Sequence, residues 1–216
     1  MAFISFLHTA IRLGLRNCIS VAVYRIAART DYYKCILPIR SCPIPEKICG
    51  SSQEVIPLLP RQRWLHQSRS LCLTEADSLL TGRVTWFSSA HFNVGSPPDW
   101  FLDPVSAQRF PEGCHHWSKC SLFGGVDIKR CWELSRFSWA PILVRAWRFT
   151  GDSCYLDALN DWTKSWCLAN PVNGGSNWIC GQETSMRLLH VMQAWQLGEA
   201  SYQPPELRPQ RAAFVV

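Results

Sequence analysis

Apolar residues recur at helical spacing through most of the chain, and strict alternation is rare. Near the start, Ile11, Leu15, Ile19 and Val23 form one stripe, while Arg12 and Arg16 share another face. A membrane-spanning helix needs about 20 uninterrupted apolar residues, and Arg12, Arg16 and Arg25 break this one. No charged n-region precedes a clean apolar h-region, so the segment reads as an amphipathic basic helix rather than a signal peptide. Such stripes usually pack into the protein's own core. Contact with a membrane surface is the weaker alternative.

From Asp31 to Arg63 the prolines Pro38, Pro43, Pro45, Pro57 and Pro60 predict an extended wrap. The run Thr74 to Leu80 predicts a short helix with Thr74 as N-cap. Gly82 stands where that helix ends, and Val84 to Phe87 reads as a short strand. Gly95 to Pro111 carries four prolines around Trp100 and Phe101 and predicts an ordered aromatic loop.

The second half is more periodic. Ile128, Cys131, Trp132, Ser135, Trp139, Ile142, Leu143 and Ala146 predict a helix over 128–150, kinked or divided by Pro141 and ended at Gly151-Asp152. Tyr155, Leu159, Trp162 and Trp166 predict the next helix, stopped by Asn170-Pro171. A turn-rich loop at 173–177 leads to a helix from Gln182 to Leu197, with Met186, Leu189, Met192 (or Gln193) and Leu197 on its expected buried side. Consecutive helices joined by short loops describe hairpins, so the fold class is mainly α. Three regions follow: an N-terminal helix and proline-rich wrap (1–73), a helical domain (74–197) and an irregular tail (198–216) containing Pro204, Pro205 and Pro209.

Composition narrows the partners. Of 216 residues, 47% are hydrophobic and 18% charged, which suits a packed core. The net charge of +6 favours acidic partners. Nucleic acid is not expected, since there is no long basic run and no zinc-finger, RRM or helix-turn-helix signature. The eleven cysteines contain no C-x-x-C pair. Cys131 and Cys167 fall at helical core positions, which suggests thiols used as small hydrophobes rather than a disulfide framework. Cys114, His115, His116 and Cys120 form a local cluster that reads as loop residues and thiols, so no metal or other cofactor is expected.

Three segments carry a resemblance. D-I-K-R-C-W-E-L-S-R-F (Asp127 to Phe137), R-A-W-R-F-T-G-D-S-C-Y-L (Arg145 to Leu156) and N-W-I-C-G-Q-E-T-S-M-R-L-L (Asn177 to Leu189) resemble signatures of heparinase II/III-like proteins. P-P-D-W (Pro97 to Trp100), His116-Trp117 and L-G-L-R-N (Leu13 to Asn17) are similar to bacterial members found with surface-polysaccharide genes. The resemblance implies an incomplete α/α toroid followed by a β-sandwich, and a polysaccharide lyase that cleaves uronic-acid-containing chains by β-elimination. It implies an acidic polysaccharide as partner and, by analogy alone, a periplasmic location.

The family's catalytic groups are an Asn-His pair, a later Tyr and, in some branches, a second His. None of these maps here: no Asn-His segment follows Leu197, and Tyr202 stands in the proline-rich tail. β-Elimination needs a group that neutralises the carboxylate, a base and an acid, all converging in one cleft. The expectation is therefore an N-terminal fragment, inactive alone, that stops before its catalytic residues. A partial toroid also leaves apolar surface open and predicts poor solubility. The alternatives are a non-catalytic acidic-glycan-binding or scaffold fragment, and a decayed product.

Candidate substrate-binding residues fall in two sets. Asn177, Trp178, Gln182, Glu183 and Arg187 lie where a loop meets a helix start: the Gln182 amide suits sugar oxygens and Trp178 suits stacking on a ring. The bland reading is that Glu183 stabilises the helix N-terminus and pairs with Arg187 at i+4. Trp132, Glu133 and Arg136 form the second set. Glu133 and Arg136 are one turn apart and suit a salt bridge, while Trp132 and Trp139 read more readily as core than as sugar platforms. His190 reads as a satisfied histidine.

Overall fold

A computed structural model describes residues 12, 14–44, 69–86, 89–120 and 126–198. Ile11, most of the proline-rich stretch after Ile44, Phe87 and the tail from 199, with Tyr202, lie outside the described residues. The described fold is mainly helical. In chain order it comprises α1 (Leu15–Arg29), α2 (Tyr32–Ile36), α3 (Arg69–Leu80), β1 (Arg83–Trp86), β2 (Ala90–Asn93), a 3-10 turn (Trp117–Lys119), α4 (Lys129–Ser135), α5 (Trp139–Thr150), α6 (Cys154–Ala169), a second 3-10 turn (Ser176–Trp178) and α7 (Gly181–Gly198).

Helix α5 is central and packs against α3, α6 and α7. Its Ala140, Leu143, Val144 and Ala146 are completely buried. From α6, Trp162 and Trp166 enter the same core at 1% exposure, and each buried aromatic contributes about 2–3 kcal/mol relative to an exposed one. The indole N–H groups stay satisfied: Trp162 donates to Ser96 Oγ and Trp166 to Ser135 Oγ, both at 3.0 Å. The stripe predicted for α6 is the buried one, since Tyr155, Leu159, Trp162 and Trp166 all lie inside.

Three local expectations are corrected. The helix predicted from Thr74 starts at Arg69, so Thr74 is interior rather than an N-cap. The predicted helix over 128–150 is two helices, but the break falls at 136–138 and not at Pro141. Pro141 lies in the first turn of α5, where its missing N–H has no helical acceptor anyway. The break is made by Phe137 in a left-handed conformation (φ 62°), its ring fully buried 4.8 Å from Trp139 and 5.2 Å from Trp166. That aromatic burial offsets a backbone strain of about 1 kcal/mol or more.

The third correction concerns α7. Its buried residues are Glu183, Arg187, Val191 and Ala194, while Leu189 is 64% exposed and Met192 40%. The buried face is polar at its first turns, which a search for apolar stripes passes over.

The strands form an antiparallel hairpin with Arg83 opposite Asn93 and Trp86 opposite Ala90. Gly82, at φ +75°, turns the chain from α3 into β1, and a Cβ there would stand 2.6 Å from the Gly95 backbone. Between β2 and α4 the aromatic loop buries Trp100 and Phe101. Trp100 Nε1 donates to Ser165 Oγ at 3.0 Å, fixing the loop to α6.

Residues 37–42 run along the end of α6. Arg40 N donates to Val172 O at 3.1 Å, and Asn173 Nδ2 donates to Pro38 O at 3.1 Å. The buried His116 donates from Nε2 to Leu37 O at 2.9 Å and accepts at Nδ1 from Ser118 Oγ at 2.8 Å. By contrast, α1 buries no residue. The expectation that its stripe packs into the core does not hold among the described residues.

Candidate functional site

All eight candidate binding residues converge around α4, the second 3-10 turn and the start of α7. At the centre Arg136, just past the end of α4, bridges two carboxylates. It pairs with Glu133 one turn earlier, as the spacing predicted. It also grips Glu183 with Nε–Oε2 at 2.6 Å and Nη2–Oε1 at 2.9 Å, a two-pronged contact that only a guanidinium makes. The Glu183 hydrogen bond holds the Arg136 guanidinium above its ordinary value despite partial burial.

Glu183 therefore faces Arg136 and does not form the expected hydrogen-bonded i+4 pair with Arg187. Arg187 points inward, donating from Nε to Ser135 O at 2.7 Å and from Nη2 to Asn177 O at 3.0 Å. Its guanidinium carbon lies 4.4 Å from the Trp166 ring centre and 5.4 Å from that of Trp178. Burial pushes its pKa down to about 10, with Glu183 opposing the shift.

Asn177 is equally committed. It is completely buried, and its Nδ2 donates to Asn170 Oδ1 at 2.9 Å. Trp132 Nε1 donates to Ser176 O at 2.9 Å, so this tryptophan locks the 3-10 turn onto α4. His190 donates from Nδ1 to Arg136 O at 2.7 Å and is a satisfied histidine. Three candidates, Asn177, Glu183 and Arg187, are thus buried and hold the helices together. Trp132, Glu133, Arg136 and Trp178 are half-buried, and Gln182 is exposed at the start of α7.

Trp178 differs from the rest. Its ring packs 6.0 Å from Trp166, yet its indole N–H, though buried, has no hydrogen-bond partner among the described residues. A buried donor without an acceptor costs about 1–3 kcal/mol. Gln182, four residues further on, is exposed at the start of α7. The two arginines and two glutamates of the cluster balance in charge, so the cluster holds no excess cation.

The cysteine and histidine cluster does not converge. Cys114 Sγ lies 3.0 Å from His115 Nδ1, whereas His116 turns inward to Leu37. Among the described residues no group of three metal-ligating side chains comes together. The ten described cysteines are free thiols, with Cys42, Cys72, Cys131 and Cys167 buried. Burial pushes the Cys131 thiol well up.

Sequence reasoning missed a separate cavity of about 680 Å³, lined by the aromatic loop and the end of α6, including Trp100, Arg109, Glu112, Cys114, Ser165 and Leu168. None of the eight candidates lines it. Arg109 is held there between Asp99 and Glu112, so its charge is neutralised by two carboxylates and the cavity is poorly suited to an anionic sugar. Also missed was Asp103, completely buried, which accepts from Ser106 Oγ at 2.6 Å and from Arg130 Nη1 at 3.1 Å. The D-P-x-S pattern at 103–106 is a turn signal that points to it.

Compared with known proteins, the chain matches no family model, no curated protein and no solved structure.

Proposed function

We propose that this chain is the helical N-terminal part of a heparinase II/III-type polysaccharide lyase, forming one wall of a groove for a uronic-acid-containing chain. The helices belong, on this reading, to a partial α/α toroid. The observation that carries it is the meeting of segments distant in sequence. The segment 127–137 supplies Trp132, Glu133 and Arg136, and the segment 177–189 supplies Asn177, Glu183 and Arg187, tied together by hydrogen bonds and ion pairs. Trp178 joins through its ring against Arg187, and Gln182 stands exposed at the start of α7. The resembling segment 145–156 is tied to the far end of α7, with Arg148 Nη1 donating to Leu197 O at 2.6 Å.

In this account Arg136, Glu183 and Arg187 position, and Trp178 and Gln182 touch the sugar. Trp178, half-buried, offers the accessible part of its ring, and Gln182 stands exposed at the start of α7. Groups for proton abstraction are not assigned to any residue of 1–216, because the Asn-His and Tyr positions of the family have no counterpart in this sequence.

The burial of Asn177, Glu183 and Arg187 favours a second reading, a scaffold that binds no glycan, since the three are at most 5% exposed. Incubation with uronate-containing polysaccharides separates the two. The lyase-wall reading expects saturable polyuronate binding without the ultraviolet-absorbing unsaturated product. Loss of all polyuronate binding leaves only the scaffold; product formation would place the missing catalytic groups within this chain.

A further inference from the structure

Helix α1 presents an apolar face to solvent. Leu15, Ile19, Ala22, Val23 and Ile26 follow the i, i+4, i+7, i+8, i+11 spacing of one helix side. Leu15 is 78% exposed, Val23 60% and Ile26 63%. Arginines border this side: Arg16 along one margin, Arg25 and Arg29 along the other, with Arg12 one turn before the helix. No Asp or Glu occurs between residues 12 and 29.

The other side of the helix is held to the protein. Lys119 Nζ donates to Arg29 O at 2.9 Å and Thr30 O at 3.2 Å, capping the C-terminus, and pairs with Asp31 at 3.3 Å. Tyr24 stacks 5.8 Å from Tyr33, which in turn lies 5.2 Å from Trp117. The apolar side is thereby turned outward on a fixed mount.

We propose that α1 is a membrane-surface anchor whose apolar side enters the interface of an anionic lipid bilayer. An apolar stripe flanked by arginines matches that surface twice: hydrocarbon takes the stripe, and phosphate headgroups take the guanidinium groups at its margins. The charge selects an anionic lipid over a neutral one. At 15 residues and about 1.5 Å each, α1 is shorter than a bilayer core of about 30 Å, so it lies on the membrane and does not cross it. No helix among the described residues is long and apolar enough to cross.

The test uses the full chain with sedimented vesicles of phosphatidylglycerol mixed with phosphatidylcholine, against phosphatidylcholine alone. Binding to the anionic vesicles, weakened by salt, is expected. The double variant Arg16→Glu/Arg25→Glu loses about twentyfold or more in affinity, and Ile19→Ser/Val23→Ser loses comparably. Helix α1 buries no residue, so both variants keep the wild-type circular dichroism and melting temperature. Equal binding to neutral and anionic vesicles, or none to either, overturns the proposal. So does a wild-type dimer that Ile19→Ser/Val23→Ser dissociates without any vesicle binding, which assigns the face to a second copy. Binding of a soluble polyuronate that is lost in Arg16→Glu/Arg25→Glu, with no lipid binding, assigns the arginines to glycan instead.

Discussion

Arg136 and Glu183 stand 47 residues apart in sequence and meet in a bidentate pair, with Glu183 only 6% exposed. This contact joins the end of α4 to the first turn of α7. Without Glu183 the largely desolvated Arg136 keeps Glu133 as its remaining carboxylate but loses two charge-assisted hydrogen bonds. Glu183→Gln is expected to destabilise the fold by about 2–3 kcal/mol. Arg136→Lys keeps the charge but loses the planar fork, and costs about 1–2 kcal/mol. Urea unfolding of both variants checks the order; equal losses would mean that charge alone matters.

Arg187 closes the same junction from inside. Arg187→Leu removes the donors to Ser135 O and Asn177 O and the cation between Trp166 and Trp178. Two buried carbonyls lose their partner, so a loss of about 3 kcal/mol is expected, together with a changed near-ultraviolet circular dichroism from the tryptophans. An unchanged spectrum would show that the guanidinium does not order those rings.

Asp103 carries an acid-sensitive contribution. Burial alone would raise its pKa, but the bonds from Ser106 Oγ, the Val105 N–H and Arg130 together hold it below the ordinary 3.8. A depressed carboxylate stabilises the fold above the unfolded value and loses that contribution as pH falls through the folded one. The stability gap between wild type and Asp103→Asn, measured by urea melts, should therefore be full at neutral pH and shrink only below the ordinary 3.8. A gap independent of pH contradicts the assignment.

Tyr155 titrates at the other end. Its hydroxyl donates to Asp77 Oδ1 at 2.7 Å, and that bond, with burial, pushes its pKa up from 10.0 to about 12. A raised tyrosine stabilises the fold below the unfolded value and loses that contribution as pH rises through the folded one. Wild type should lose stability between 10.0 and about 12, and Tyr155→Phe, weaker by about 1 kcal/mol at neutral pH, should lose less across that window. Parallel alkaline profiles would contradict this.

The contrast between α6 and α7 explains what the sequence reveals. In α6, Tyr155, Leu159, Trp162 and Trp166 repeat without interruption and Asn170-Pro171 stops them, so both face and end are legible. In α7 the buried face begins with Glu183 and Arg187. Their burial is tolerable only because Arg136, Ser135 and Asn177 supply partners, and no local pattern announces partners 47 or 52 residues away. The i+3 pair of Glu133 and Arg136 was legible for the opposite reason. Pro141 was a true signal assigned to the wrong event: proline in a first turn marks a start, and the break itself came from Phe137, whose left-handed backbone nothing local demands. His116 and the 680 Å³ cavity arise from segments far apart in the chain and have no short-range signature.

Calorimetric titration of the full chain with a polyuronate oligosaccharide, against a neutral glucan of equal length, tests the glycan-wall account most directly. Saturable binding to the polyuronate alone is expected, lost in Trp178→Ala/Gln182→Ala and retained in Arg16→Glu/Arg25→Glu. No binding, or binding indifferent to the Trp178→Ala/Gln182→Ala change, would contradict it.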